Sequence, residues 1–138
     1  MRRGFTMLEL VFVIVVLGIL AGIAVPRLFV TRDDAIIAKG RADIASIRSA
    51  ITNMYNANML TGQFVYPASL ESTSGSSSIL FDGVLQSGIK IDEKSGWSMS
   101  GNNYRFMLRG ESTIFTYNAA NGTFTCPRTD SLCRALTE

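Results

Sequence analysis

Residues 5–25 read FTMLELVFVIVVLGILAGIAV, and Thr6 and Glu9 are the only polar side chains in this stretch. As a helix that rises about 1.5 Å per residue it would reach about 32 Å, which matches the roughly 30 Å hydrocarbon core of a bilayer. Arg2 and Arg3 precede it, and basic residues beside a membrane helix stay on the cytoplasmic side. The stretch therefore predicts one membrane-spanning helix, with the C-terminal part of the chain exported.

The residues after Pro26 predict a second, amphipathic helical stretch. Proline ends or kinks a helix, yet helical periodicity returns beyond it. We expect this helix to run from about residue 31 to residue 60, with Gly62 as a stop signal, inside a segment 26–62 that continues into a globular domain. Its apolar stripe is expected to pack on a sheet. The stripe consists of Ile37, Gly40, Ile44, Ile47, Ile51 and Met54.

Residues 63–138 predict a loop, a short helix and an antiparallel sheet. Residues 66–70 and the Ser/Gly tract 72–78 indicate a loop, and the apolar run 79–87 favours a short helix. From Trp97 onward apolar and polar residues alternate between recurring turn residues, which predicts an antiparallel meander of three or four strands. The expected fold class is α+β, with a long N-terminal helix packed on a small antiparallel β-meander.

Composition argues against catalysis. The chain has 138 residues, of which 47% are hydrophobic and 17% charged, and it has no histidine. That excludes Ser–His and Cys–His catalytic pairs and histidine-ligated metals, and no Gly-rich phosphate loop follows a predicted strand. We therefore expect neither an enzyme nor a cofactor. Because basic and acidic residues balance once Arg2 and Arg3 are set aside, nucleic acid is not an expected partner.

Cys126 and Cys133 are the only cysteines. Two thiols without histidine cannot complete a four-ligand zinc site in one chain, so we expect a short disulfide and an oxidising compartment. We expect no metal site, because the later carboxylates lack the regular spacing of calcium ligands. These carboxylates are Asp82, Asp92, Glu93 and Asp130.

Three interpretations of the first 25 residues compete. A secretory signal peptide would need a small-residue cleavage site, of which residues 22–24 (Gly-Ile-Ala) are a weak version. A plain membrane anchor would need no cleavage. Neither accounts for Glu9, because a charge near the start of an apolar segment hinders insertion into the membrane.

The third interpretation does account for Glu9, since Gly4-Phe5-Thr6-Met7-Leu8-Glu9 resembles the processing site of type IV prepilins and pseudopilins. The resemblance covers about residues 2–27. It implies that a prepilin peptidase cuts between Gly4 and Phe5 and methylates the new N-terminus at Phe5. Residues 1–4 are then the leader peptide, and residues 5–25 are the transmembrane and filament-core helix. Glu9 stands where the family has its glutamate, and Pro26 matches the proline that commonly follows the apolar segment.

The environment of Glu9 supports a role in assembly. A carboxylate costs about 2.5–3.5 kcal/mol at the centre of a membrane helix, less near its end, and usually has a partner. Since the amine of Phe5 is the remaining cation after cleavage, we expect Glu9 of one subunit to pair with the Phe5 amine of a neighbour. A glutamate that snorkels to water is the alternative. Gly18 and Gly22 form a small-xxx-small pair that allows helices to pack closely.

The resemblance implies a structural subunit of a pilus-like filament that serves type II secretion, DNA uptake or a type IV pilus. Its expected partners are the prepilin peptidase, other pilin or pseudopilin subunits, an inner-membrane assembly platform and membrane lipid. We expect a single-pass protein of the bacterial inner membrane, with residues 63–138 and their disulfide loop in the periplasm. The alternative is a membrane-anchored periplasmic binding module, such as a minor pilin-like receptor for DNA or a surface, with the same processing signal.

Overall fold

A computed structural model describes residues 4–73 and 78–138, without the side chains of residues 29 and 30. Residues 1–3 of the expected leader and residues 74–77 of the expected Ser/Gly loop lie outside the described residues. The chain divides into two compact units, Met1–Ala35 and Ile36–Glu138. Helix α1, Met7–Leu60, contributes its first part to one unit and its last part to the other.

The first unit is helical from Met7 onward, and the helix does not end at Pro26. A proline has no N–H, so the carbonyl of Gly22, four residues earlier, loses its usual helical donor. The hydroxyl of Thr31 donates to the carbonyl of Arg27 at 2.7 Å one turn further on. The two helical stretches that the sequence predicts are therefore parts of one continuous helix.

The second unit contains the rest of the regular structure. It comprises β1 (Ile79–Leu80), β2 (Ile89–Lys90), β3 (Trp97–Ser100), β4 (Asn103–Leu108), β5 (Glu111–Asn118), β6 (Thr123–Thr125) and α2 (Ser131–Thr137). Strands β1 and β2 form a two-stranded antiparallel sheet, and β3 to β6 form a four-stranded antiparallel sheet in chain order. This confirms the α+β class and the predicted meander.

The core lies between the last part of α1 and one face of the four-stranded sheet. Ile44, Ile47 and Ile51 of the predicted stripe are buried, as expected from their spacing. The sheet supplies aromatic rings, and Trp97 lies at their centre, with its ring 5.1 Å from those of Phe106 and Phe115. Each such aromatic pair contributes about 0.5–1.5 kcal/mol beyond its buried area, so the aromatic cluster stabilises the sheet on which the helix packs.

The short helix predicted over residues 79–87 is wrong. Residues 79–80 pair with 89–90 as a small hairpin, and Phe81 adopts a φ of 60°, which breaks helical geometry. The ring of Phe81 stacks on Tyr104 at 4.3 Å and is fully buried. Burial of this ring among residues that are distant in the sequence determines the backbone conformation here. The periodicity of a short apolar run does not reveal such burial.

Helix α2, which the sequence analysis did not predict, lies at the C-terminus of the chain. Leu132 and Leu136 are buried one turn apart, and Cys133 between them is bonded to Cys126, which follows β6. The Cα atoms of the two cysteines are 5.9 Å apart. The predicted disulfide is confirmed, and it ties α2 to the end of the last strand.

Candidate assembly site at the start of the long helix

Helix α1 begins with a reciprocal capping arrangement between Thr6 and Glu9. The backbone N–H of Thr6 donates to Glu9 Oε2 at 2.9 Å, and its hydroxyl donates to the same oxygen at 3.1 Å. The N–H of Glu9 donates in return to Thr6 Oγ1 at 3.3 Å. The N–H of Leu10 donates to the Thr6 carbonyl at 3.1 Å, so Thr6 is the residue that caps the helix. This is a capping box, in which two otherwise unpaired backbone donors find acceptors.

The capping role of Thr6 was not predicted from the sequence, although its signal is present there. A threonine followed three residues later by glutamate, just ahead of an apolar run, is the usual pattern of a capping box. Glu9 thus has a partner inside its own chain as well as the partner expected in a neighbouring subunit. The two roles use different properties, since the capping box needs an acceptor oxygen and the pairing with an amine needs a charge.

Glu9 is the only charged residue between Gly4 and Pro26. It lies on an open helix surface that is otherwise apolar, lined by Phe5, Leu8, Val11, Phe12, Val13 and Val15. An ionised carboxylate on such a surface is costly inside a bilayer unless a cation or further donors reach it. A cation close to Glu9 would therefore stabilise the apolar segment inside a bilayer.

The Gly4–Phe5 peptide bond precedes the helix, and Phe5 is 86% exposed. A peptide bond outside regular structure is accessible to a peptidase without unwinding of the helix. A Cβ atom added at Gly4 would meet nothing within 4 Å, so the fold itself does not require glycine there. Cleavage after Gly4 and methylation at Phe5 stay predictions.

Gly18 and Gly22 are both open along the apolar helix, with nothing within 4 Å of the position of an added Cβ. Being four residues apart, they lie on the same face of the helix. Within the described part of the chain, α1 is the one helix long and apolar enough to cross a membrane. Close packing of a second helix on this face stays a prediction.

The four carboxylates considered for calcium lie in the second unit, and three of them accept hydrogen bonds from nearby groups. Asp82 accepts from the backbone and hydroxyl of Ser72, and Asp92 accepts from two backbone N–H groups of the turn that follows it. These bonds lower the pKa of both carboxyls. Asp130 accepts from the hydroxyl of Thr113 at 2.9 Å. In residues 4–73 and 78–138, no three potential metal ligands come together.

Two polar residues of α1 that lie outside its predicted apolar stripe also contribute to the fold. The indole N–H of Trp97 donates to Asp43 Oδ2 at 3.1 Å, and partial burial raises the pKa of the Asp43 carboxyl. The guanidinium of Arg48 donates twice to the carbonyl of Phe124, at 3.0 and 3.2 Å. The amphipathic face is therefore bordered by polar contacts that fix the helix on the sheet.

The fold and this site together define a class of chain, in which an apolar helix with a capped N-terminus continues into a small α+β domain. The family model described as the prokaryotic N-terminal methylation motif matches residues 1–25. The apolar helix and this motif fit membrane anchoring and a filament. No solved structure matches the chain.

Curated relatives agree with the motif. The chain is 46% identical over 54 residues to type II secretion system core protein G of Pectobacterium carotovorum, covering 39% of this chain and 34% of the relative. Over 67 residues it is 36% identical to the protein of the same name from Pseudomonas aeruginosa, covering 49% of this chain and 44% of the relative. Over 48 residues it is 50% identical to the type IV narrow pilus major component PilA5 of Thermus thermophilus, covering 35% of this chain and 41% of the relative.

The matches span between about a third and under a half of these relatives. They confirm the resemblance to type IV prepilins and pseudopilins that the sequence indicates. By their names the relatives are components of a secretion system and of a pilus.

Proposed function

We propose that the chain is a structural subunit of a pilus-like filament, processed after Gly4, methylated at Phe5 and assembled through its N-terminal helix. The observation that carries this proposal is the methylation motif over residues 1–25, which coincides with the start of an exposed apolar helix. The relatives include subunits of both a secretion system and a pilus, so the proposal concerns the role that these share. Secretion, DNA uptake and pilus formation are the processes such a filament would serve.

Processing is the first step. The prepilin peptidase acts on the peptide bond between Gly4 and Phe5, on the cytoplasmic side of the membrane. Cleavage releases a short leader that contains Arg2 and Arg3, and it leaves a chain that begins with the amine of Phe5. Methylation of this amine keeps its positive charge, so the cation that Glu9 requires is retained.

Storage in the membrane is the second step. The apolar helix holds the processed monomer in the bilayer, with the second unit in the periplasm. During storage Glu9 keeps its hydrogen bonds with Thr6, which reduce the cost of a carboxylate near the membrane boundary. The capping box thus stabilises the monomer in the membrane before assembly, with the Glu9 carboxylate already in position at the start of the helix.

Assembly is the third step. Glu9 of one subunit accepts the Phe5 amine of the next, and the two opposite charges leave the aqueous boundary together. Gly18 and Gly22 let the apolar helices approach closely. A head-to-tail contact that does not close into a ring extends as a helical filament.

The first test is the intact mass and N-terminal sequence of the full chain, recovered from membranes of cells that contain a prepilin peptidase. We expect a chain that begins with N-methylated Phe5. Gly4→Val should leave the leader in place, whereas Gly22→Val, an equally open glycine far from the bond, should be processed normally. A mature chain that begins at Val25, or an unprocessed wild-type chain, would contradict the proposal.

A further inference from the structure

A small polar cavity lies between α1, the end of β6 and the disulfide, and the proposed assembly site does not use it. Its volume is about 120 Å³, and its lining is more polar than apolar. The lining residues are Arg48, Thr125, Cys126, Arg128, Cys133 and Thr137. We call it the arginine cavity, because α1 and the disulfide loop each contribute one arginine to it.

The guanidinium of Arg48 is held in place by the last strand. Its Nε and Nη2 groups donate to the carbonyl of Phe124 at 3.2 and 3.0 Å. A guanidinium has five N–H donors, so three remain for another acceptor. Arg48 is therefore a positioned cation with donors left for a ligand, and this positioning lowers the entropy lost on binding.

Arg128 lies in the loop that the disulfide closes. The bond between Cys126 and Cys133 joins the two ends of this loop, and within it the N–H of Asp130 donates to the carbonyl of Pro127 at 3.1 Å. These constraints fix the backbone that carries Arg128, while its side chain is exposed. The disulfide therefore forms part of the cavity wall and holds the second arginine beside the cavity.

The positive charge of the arginine cavity is not balanced by its own lining. Of the residues that the structure describes, none with a carboxylate side chain lines it. Asp130 is close to Arg128 in sequence, but its carboxylate accepts from the hydroxyl of Thr113 at 2.9 Å. Glu138 follows the lining residue Thr137 and is exposed. Because two like charges beside one small cavity repel each other, an anion between them would be stabilising.

The size of the cavity limits the ligand. Pockets for drug-sized molecules have volumes of about 300–1,000 Å³, and a water molecule takes about 30 Å³ in the liquid. The arginine cavity thus has room for a few waters or for one tetrahedral oxyanion. Guanidinium groups bind phosphate oxygens through paired N–H donors. Size, charge and donor geometry together favour a single phosphate group.

We propose that the arginine cavity binds one phosphate group between Arg48 and Arg128. The group is either the free ion or the end of a phosphate monoester whose remainder lies outside the cavity. Because Arg128 is open to solvent, the binding is weak, with a dissociation constant on the order of 1 mM. The site does not depend on the proposed filament function, since all of its residues lie in the second unit.

The test is a titration of the full-length chain in detergent with sodium phosphate at constant ionic strength, followed by the NMR signals of the arginine Nε–H groups. We expect saturable shifts for Arg48 and Arg128. Arg128→Gln should weaken binding by about tenfold or more, because it removes a charged donor. Arg134→Gln changes another exposed arginine, outside the cavity lining, and should alter binding by less than about twofold. The absence of saturable shifts, or equal weakening by the two variants, would overturn the proposal.

Thermal unfolding gives a second measurement. At a phosphate concentration of about twenty times the dissociation constant, the melting temperature of the wild type should rise by about 5 °C more than that of Arg128→Gln. Phosphate also stabilises proteins in general, so equal increases would show only this general effect and would overturn the site.

Glycerol 3-phosphate, titrated in the same way, distinguishes the two sources of the phosphate group. Binding at least as tight as that of inorganic phosphate would support the site for a monoester, and weaker binding would support it for the free ion. A chain that binds phosphate and forms no filament would contradict the proposed function and leave this site standing.

Discussion

Substitution of Glu9 by glutamine separates the capping role that the structure shows from the pairing with the Phe5 amine that we propose. Glutamine keeps an acceptor oxygen for the Thr6 donors, since either residue serves at this position of a capping box. It removes the charge that would attract the Phe5 amine. The variant should therefore insert into the membrane and be cleaved, yet assemble poorly.

The matched control is Thr6→Ala, which retains the charge and removes the hydroxyl that donates to Glu9 and accepts from its N–H. Loss of such a cap costs about 0.5–2 kcal/mol of helix stability. This loss affects one end of a helix that continues to Leu60, so it should leave most assembly intact. The two variants thus remove the charge and the cap one at a time.

The magnitude follows from the apolar surface around Glu9. A hydrogen-bonded charge pair that leaves water contributes about 2–3 kcal/mol, which corresponds to roughly 30- to 150-fold in each subunit contact. The assay is the amount of filament sheared from cells, relative to processed chain in the membrane. Filament from Glu9→Gln at the wild-type level, with Thr6→Ala strongly reduced, would refute charge pairing and leave Glu9 with its capping role only.

Three predictions concern the second unit, and each is measured by thermal unfolding of the full chain in detergent. Gly40→Val should lower stability by about 2 kcal/mol, because an added Cβ lies 2.7 Å from a Leu136 methyl, while Gly18→Val in open space should have little effect; equal melting temperatures would contradict this packing. Asp43→Asn should become more stable relative to the wild type as the pH rises from about 4 to neutrality. Burial raises the pKa of Asp43 in the folded state, so the stability that its carboxyl contributes is fully present in acid and is lost as the pH passes that pKa. A stability difference that stays constant across this range would exclude the effect. Cys133→Ser should cost about 2–3 kcal/mol, the stabilisation expected of a short disulfide loop, and should expose the amides of α2 to hydrogen exchange, while unchanged exchange would show that α2 packs without the bond.

Much of the fold could be read from spacing. Ile44, Ile47 and Ile51 recur at helical intervals, and alternation in Tyr104, Phe106 and Leu108 matches their alternating burial in β4. Each pattern is local and repeats over several turns or strand residues. The direction of the buried face then follows from backbone geometry alone.

The parts that sequence reasoning missed depend on distant residues. Phe81 enters the core because Trp97 and Tyr104 from the sheet form a pocket for its ring, and this contact overrides any helical tendency in residues 79–87. Asp43 lies outside the predicted apolar stripe, but its carboxylate accepts the indole N–H of Trp97, far along the chain. Such pairs carry no local periodicity.

The amino-acid sequence by itself determined the apolar helix, the candidate processing bond after Gly4, the position of Glu9 and the meander, because hydrophobic length, spacing and motifs are local properties. Only the tertiary structure decided that the ring of Phe81 is buried against Tyr104 and that the carboxylate of Asp43 accepts the indole N–H of Trp97. Each of these contacts joins residues that are far apart in the chain. It exists only after the core has brought them together.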